Sequence, residues 1–173
     1  MNEASKRRVR IKYFITLIIS AVFMGATVGA VCAENNPTLC ALGEDVYFSC
    51  PLFGGKVVSV CASGNNDPKS GYVQYRYGLM GNIELIYPIK KSPPLGRFFL
   101  VDASEGSVNL GLIKFKVGRY TYIVAQAFVS FLTVLKDGEV IFRKSCDAGG
   151  HAFINRAALK GIETVPKSEE DFQ

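Results

Sequence analysis

Short apolar segments separated by turn residues recur between residues 45 and 144, and several alternate apolar with polar positions. This pattern is typical of antiparallel strands. It predicts a single all-β sandwich or barrel-like domain of about eight strands. The candidate strands span residues 45–51, 56–62, 71–78, 82–88, 97–102, 108–117, 120–135 with a break inside, and 139–144. The apolar phase slips near Gly111, which predicts a bulge there.

The remaining pattern places one tight turn, one short helix and a tail. Lys136-Asp137-Gly138 predicts a hairpin, because Asp-Gly suits the left-handed conformations of tight turns. Residues 150–161 are the helical candidate, with Gly161 suited to the C-terminal cap. Residues 163–173 are polar and predict a flexible tail. The β domain is therefore expected over residues 34–162.

A second hairpin can be set in register from its loop. Residues 71–78 and 82–88 are joined by Leu79-Met80-Gly81, and a three-residue loop with glycine at its end predicts that Arg76 lies opposite Glu84. The same register turns one set of apolar and aromatic side chains toward the core, namely Val73, Tyr75, Tyr77, Ile83, Leu85 and Tyr87.

The opposite side of this hairpin would carry Tyr72, Gln74, Arg76 and Glu84. One interpretation is an exposed Arg76–Glu84 pair that contributes well under about 1 kcal/mol. The other is a partner-binding surface for a protein or a glycan, because Tyr and Arg are favoured at interface hot spots.

The N-terminal pattern predicts export. Five basic residues lie within residues 1–12, the 19 residues 13–31 carry no charge, and Val31-Cys32-Ala33 supplies the small residues that signal peptidase requires. We expect residues 1–33 to be a signal peptide and the mature chain to start at Glu34, in the periplasm or outside the cell, with no membrane span after cleavage. A retained anchor is an alternative, because a span needs roughly 20 residues. A twin-arginine signal is another.

Removing the signal peptide changes the charge. Residues 1–33 hold five of the 20 basic residues and one of the 15 acidic ones, so the remainder carries 15 basic and 14 acidic residues, a net charge of +1. Its Lys and Arg residues are scattered. Nucleic-acid binding requires a basic stripe that neutralises phosphates, so nucleic acid is excluded as a partner.

Four cysteines would be exported together, and an oxidising compartment predicts two disulfides among Cys40, Cys50, Cys61 and Cys146. Buried free thiols are the alternative. A zinc site is disfavoured, because the chain has no C-x-x-C spacing and a single histidine, His151. We therefore predict no metal and no cofactor.

The disulfide pairing depends on the first hairpin turn. A turn on Gly54-Gly55 sets Cys61 opposite Phe48 and leaves Cys50 diagonal to it, beyond the usual reach of a disulfide. A turn on Gly55-Lys56 sets Cys50 directly across from Cys61. The second register favours Cys50–Cys61 with Cys40–Cys146, although three pairings remain open.

The chain resembles a family of exported, cysteine-containing proteobacterial proteins without an assigned function. The resemblance lies in Phe48-Ser49-Cys50, in the segment from Gly55 to Cys61 (GKVVSVC), in the segment from Tyr72 to Gly78 (YVQYRYG), and in Glu84-Leu85-Ile86-Tyr87-Pro88. A weaker similarity continues to Cys146. The resemblance implies export and a β fold, and it transfers no catalytic residue.

Three classes of function remain, and no catalytic residue is assigned. The sequence lacks a G-x-S-x-G elbow, a phosphate loop and a metal-ligand cluster. The first expectation is a non-catalytic protein that binds a protein or a glycan, as an inhibitor or immunity protein does. The second is a small hydrolase that uses His151 or a carboxylate pair. The third is a structural or accessory subunit of the cell envelope. The sequence does not indicate the oligomeric state.

Overall fold

The computed structural model describes residues 37–147 and 152–173. The predicted signal peptide, the predicted start at Glu34 and the candidate base His151 lie outside these residues. Within them the fold is all-β with two disulfides, as predicted. No helix in the two described ranges is long and apolar enough to cross a bilayer.

The described residues form ten strands in two sheets. The strands are β1 (Asp45–Pro51), β2 (Val57–Ser63), β3 (Tyr72–Leu79), β4 (Asn82–Tyr87), β5 (Phe98–Asp102), β6 (Gly111–Val117), β7 (Tyr120–Gln126), β8 (Phe131–Lys136), β9 (Glu139–Ser145) and β10 (Glu163–Thr164). The first sheet has the order β1-β2-β3-β4 and the second the order β10-β5-β6-β7-β8-β9. All neighbours are antiparallel except β10, which runs parallel to β5.

One hydrophobic core lies between the two sheets. Phe48 and Val60 are paired on the first sheet, and Phe98 and Phe115 are paired on the second; all four side chains are at most 1% exposed. Burying an apolar side chain of this size contributes about 1.5–3 kcal/mol. Alternate positions of the central strands therefore drive the sheets together, as the period of two predicts.

Aromatic rings from both sheets meet inside this core. They belong to Tyr75, Tyr77, Tyr87, Phe98, Phe115, Tyr122 and Phe142. Tyr87 stacks on Phe115 with 5.0 Å between centroids, and Phe115 stacks on Tyr122 at 4.9 Å. Tyr75 and Tyr77 of β3 reach rings on β6, β7 and β9. Consequently β3 crosses the strands of the second sheet rather than following one of them.

The C-terminal segment, residues 163–173, covers the outer face of the second sheet. Its first two residues form β10, and Val165 packs on a second apolar cluster on that face, formed by Val101, Ala103, Leu112, Ile123, Ala125 and Leu135. Further along, Lys114 of β6 binds Asp171 at 2.6 Å, and Arg143 of β9 donates to the carbonyl of Gln173. These residues, predicted to form a flexible tail, are held by contacts that composition alone does not reveal.

The register of the β3–β4 hairpin differs from the prediction. Arg76 lies opposite Ile86, and the register shifts between Tyr77 and Gly78, which leaves Glu84 without a directly opposite residue. The loop has two residues rather than three, because Leu79 pairs with Asn82. A Cβ at Gly78 would lie 2.4 Å from the carbonyl oxygen of Asn82. Glycine at this position therefore permits a bulge. The prediction from the length of the loop did not include it.

The predicted disulfide pairing is wrong, because neither proposed β1–β2 register forms. The bonds are Cys40–Cys61 and Cys50–Cys146. The turn uses three residues, and Cys50 lies opposite Val58. Both predicted registers placed Cys50 and Cys61 on one face. A shift of one residue moves them to opposite faces, so they cannot join.

Smaller elements follow the prediction in part. The Asp137-Gly138 turn is confirmed: Lys136 pairs with Glu139, and both turn residues have positive φ. The bulge predicted near Gly111 does not form, because β6 begins at that residue. The residues before it continue the β5–β6 hairpin in the same register: the N–H of Ala103 donates to the carbonyl of Leu110, and Glu105 pairs with Val108 at the tight turn. Of the predicted helix, the described part contains only α1 (Ala158–Gly161).

Candidate functional site

Tyr72, Gln74 and Arg76 lie together on the outer face of the first sheet, but Glu84 is not among them. Glu84 binds Lys56 at 2.7 Å on the exposed edge of the sheet. Gln74 and Arg76 are only 4% and 6% exposed. The predicted four-residue surface is therefore not present as one exposed patch.

Glu44 takes the place that was predicted for Glu84. Arg76 donates from Nη1 to Oε2 of Glu44 at 2.6 Å and from Nη2 to Oε1 at 2.7 Å. The same guanidinium also donates to the backbone carbonyl of Leu39 and to Oε1 of Gln74. Such a bidentate arginine–carboxylate pair is stronger than a neutral hydrogen bond.

The surroundings of Glu44 keep it ionised. Burial by itself raises the pKa of this carboxyl, but hydrogen bonds from Arg76, from the Tyr72 hydroxyl and from the backbone N–H of Ala41 lower the pKa to about 2. Lys91 adds a cation at the edge, where its Nζ lies 4.3 Å from the Tyr72 ring centroid and binds the Tyr72 hydroxyl at 2.8 Å. We call Glu44, Tyr72, Gln74, Arg76 and Lys91 the polar cluster.

The N-terminal strap, residues 37–44, covers the polar cluster. The Cys40–Cys61 disulfide attaches the strap to β2. The backbone N–H of Leu39 donates to the Ser59 hydroxyl, and the Ser49 hydroxyl donates to the carbonyl of Pro37. The two serines that hydrogen-bond to the strap are polar residues of the outer face of the sheet. The polar cluster consequently fixes the strap to the sheet.

The strap also forms the one group of three close metal-ligand side chains found in the described residues. Donor atoms of Cys40, Glu44 and Cys61 lie within 4.8 Å of one another. The two sulfurs are bonded to each other, and a disulfide sulfur lacks the thiolate charge that binds a metal. The geometry here supports a covalent staple.

A larger opening lies beside the C-terminal segment. We call it the cleft. Its volume is about 800 Å³, and its lining consists of Tyr87, Gly96, Arg97, Phe99, Lys114, Phe115, Lys116, Val165, Ser168, Glu169 and Glu170. Ligand sites in proteins commonly measure about 300–1,000 Å³ and combine apolar walls with a few polar groups. The cleft has this size and composition.

Ion pairs hold the charged wall of the cleft in place. Lys114, whose side chain is 12% exposed, contacts both oxygens of the buried Asp171. Lys116 binds Oε2 of Glu170 at 3.2 Å, and Thr121 donates to Oε1 of the same residue at 2.8 Å. The side chain of Lys116 remains 63% exposed, so its ammonium group is accessible to a ligand.

Within the described residues, the cleft does not bring together either of the groups expected of a hydrolase. His151 lies outside these residues. Glu169 and Glu170 both line the cleft, but the two oxygens of Glu170 are already bound by Lys116 and Thr121. A glycosidase needs two carboxyl groups placed on either side of the scissile bond. Two consecutive residues, one of them held by structural contacts, do not provide that arrangement.

The sequence contains a weak signal for the cleft. Lys114 and Lys116 alternate with Phe115 on a strand. One face of β6 is therefore basic, and the other face packs into the core. A basic strand face near an acidic run, here Glu169-Glu170-Asp171, indicates pairing between the two. The expectation of a flexible tail prevented that inference.

Comparisons of the chain with protein-family models, with curated proteins and with solved structures gave no match.

Proposed function

We propose that this chain is an exported binding protein without catalytic activity, and that the cleft holds a segment of a glycan. The observation that carries the proposal is the composition of the cleft lining. Tyr87 and Phe99 are half-buried rings, and such rings offer flat apolar surface to the C–H faces of a sugar. Arg97, Lys116 and Glu169 are exposed beside them and provide both donors and acceptors for hydroxyl groups.

The charges of the cleft favour an uncharged polyhydroxyl ligand over an anion. Three basic side chains, Arg97, Lys114 and Lys116, line the cleft together with the acidic Glu169 and Glu170. An anionic ligand would meet two carboxylates, whereas a sugar hydroxyl can donate to one group and accept from another. The positions of Lys114 and Glu170 are fixed by ion pairs, which reduces the side-chain entropy lost on binding.

Export is supported by the disulfides. Both bridges join cysteines that a signal peptide would carry out of the cytoplasm together, and disulfides persist in oxidising compartments. The periplasm or the extracellular space is the proposed location.

A glycan panel tests the proposal. The chain from Glu34 onward is immobilised, and solutions of N-acetylglucosamine oligomers and other defined glycans are passed over it. The immobilised protein should retain at least one of these glycans. Lys116→Ala and Arg97→Ala should each weaken that binding about fivefold or more, which corresponds to the loss of roughly 1 kcal/mol. The matched control is Lys69→Ala, an exposed lysine on a different loop. Binding that is insensitive to both cleft variants would reject the cleft as the site.

The same assay separates binding from hydrolysis. If the retained glycan were cleaved and His151→Ala abolished the cleavage, the protein would be a hydrolase. Stable retention without cleavage products supports the binding function.

A protein partner is the second candidate, favoured by the edge of the first sheet. In the described residues β4 pairs only with β3, and its Ile83, Leu85 and Ile86 side chains are 36–40% exposed. An unpaired edge strand of this kind can accept an extended segment of another protein. Ile86→Lys should abolish capture of such a partner and leave glycan binding unchanged. Equal capture by the wild type and by this variant would exclude β4 as the binding edge.

A further inference from the structure

The two sheets also enclose a narrow apolar slot that is separate from the cleft. Its volume is about 170 Å³, and its lining consists of Tyr75, Tyr77, Tyr122, Leu132, Val134 and Phe142. Tyr75 and Leu132, each 1% exposed, form the floor. Tyr77, Tyr122 and Phe142 are half-buried and form the rim. The slot shares no lining residue with the cleft.

Tyr75 brings a polar group, its hydroxyl, to this mainly apolar site. Among the described residues none forms a hydrogen bond with this hydroxyl. Burial is the main cause that raises its pKa, and the nearby Tyr122 and Tyr77 raise it further. Buried tyrosine hydroxyls usually find a partner. The one fully enclosed side-chain polar atom without a partner in residues 37–147 and 152–173 is Oγ1 of Thr133. The Tyr75 hydroxyl is not such an atom, and Tyr75 is one of the residues that line the slot.

We propose that the slot binds a small, mainly apolar molecule with one hydrogen-bond acceptor, to which the Tyr75 hydroxyl donates. An apolar cavity of about 150 Å³ holds a benzene molecule, so a single six-membered ring with one short substituent matches the volume of the slot. Leu132, Val134 and Phe142 contact the ring. Because burial disfavours the phenolate, the Tyr75 hydroxyl keeps its proton and acts as the donor.

Two probes of nearly equal shape test the proposal. Benzaldehyde carries a carbonyl acceptor, and toluene carries a methyl group in its place. Each is titrated into the chain from Glu34 onward, with amide chemical shifts in the NMR spectrum as the readout. Both should shift signals of β3, β7 and β8. Tyr75→Phe removes only the hydroxyl and should lower the ratio of benzaldehyde to toluene affinity about fivefold.

The variants separate the slot from other apolar surface. Leu132→Phe fills the floor and should weaken both probes at least tenfold. Tyr120→Phe removes a hydroxyl from the partly exposed start of β7, outside the slot, and should change neither affinity. The proposal is overturned if neither probe shifts those signals, or if Tyr75→Phe leaves the affinity ratio unchanged. Should Leu132→Phe fail to fold, the Tyr75→Phe result alone decides, because that change preserves the volume of the core.

Discussion

Arg76 is the residue on which the outer face of the first sheet depends. Its side chain and that of Glu44 are 7% and 4% exposed, so Arg76→Ala would leave a buried carboxylate without its partner. Breaking one side of a buried pair typically costs about 3–5 kcal/mol. We expect Arg76→Ala to lower the free energy of unfolding by an amount in this range, measured by urea denaturation.

Lys56→Ala is the matched control for that measurement. It breaks an ion pair of nearly the same length, 2.7 Å against 2.6 Å, but the Lys56 and Glu84 side chains are 38% and 36% exposed. Exposed pairs contribute about 1 kcal/mol or less. Equal losses for the two variants would contradict a special role for burial.

The low pKa of Glu44 predicts a pH dependence. Its hydrogen bonds hold the pKa of this carboxyl at about 2 in the folded chain, whereas the ordinary pKa of 4.5 applies to the unfolded chain. Its contribution to stability is therefore complete above about pH 4.5 and is lost as the pH falls toward 2. Urea midpoints measured across this window should decline less steeply for Glu44→Gln than for the wild type. Parallel profiles would show that Glu44 does not govern the acid response.

At the level of residues, sequence reasoning predicted the inward side of β3 but not that of β4, where Ile83 and Leu85 were expected in the core and are 40% and 37% exposed. The period of two placed Tyr75 in the core correctly, because alternation does not depend on loop length. It did not predict that Arg76 binds Glu44, since the two are 32 residues apart and the covering strap has no periodic pattern. The bulge at Gly78 then displaced Glu84 from its expected place.

Among the elements, the two disulfides are expected to contribute unequally. Cys40–Cys61 spans 21 residues and Cys50–Cys146 spans 96. Loop-closure entropy predicts a stabilisation of about 3 kcal/mol for the shorter loop and about 4.7 kcal/mol for the longer one. Replacing Cys50 and Cys146 by Ala should therefore lower the melting temperature more than replacing Cys40 and Cys61. The reverse order would show that anchoring of the strap outweighs chain entropy.

The C-terminal segment should behave as part of the domain. Asp171→Ala leaves the largely buried Lys114 ammonium without its carboxylate, so we expect a loss of stability of roughly 3 kcal/mol. Glu169→Ala, an exposed neighbour in the same turn, is the control and should cost less than about 0.5 kcal/mol. Limited proteolysis should cleave residues 163–173 rapidly only in the Asp171 variant.

Strands could be predicted from the sequence almost to the residue, whereas connections could not. Each of β1 to β9 overlaps a predicted segment, because a half-buried strand needs alternating apolar residues wherever it lies in the sheet. The strap and the C-terminal segment were missed, since they contribute few apolar side chains and are held by polar contacts between distant residues. The charged wall of the cleft was missed for the same reason, because it is also held by polar contacts between distant residues.

For the molecule as a whole, export is the prediction that governs the others. The small residues at Val31-Cys32-Ala33 predict a mature chain that starts at Glu34. N-terminal sequencing of protein recovered from the periplasm or the medium should read Glu-Asn-Asn-Pro. A sequence that begins upstream of residue 31 would contradict cleavage and favour a retained anchor.

The interleaved disulfides have a consequence for the order in which the chain matures. Cys50 lies between Cys40 and Cys61, yet its partner is 96 residues away. If the chain is exported as predicted, Cys40, Cys50 and Cys61 meet the oxidising enzyme before Cys146 arrives, and Cys50 then has only non-native partners within reach. A bridge from Cys50 to Cys40 or to Cys61 is non-native and must be exchanged later through a mixed disulfide. We therefore expect the yield of native protein to depend on a disulfide isomerase and not on an oxidase alone.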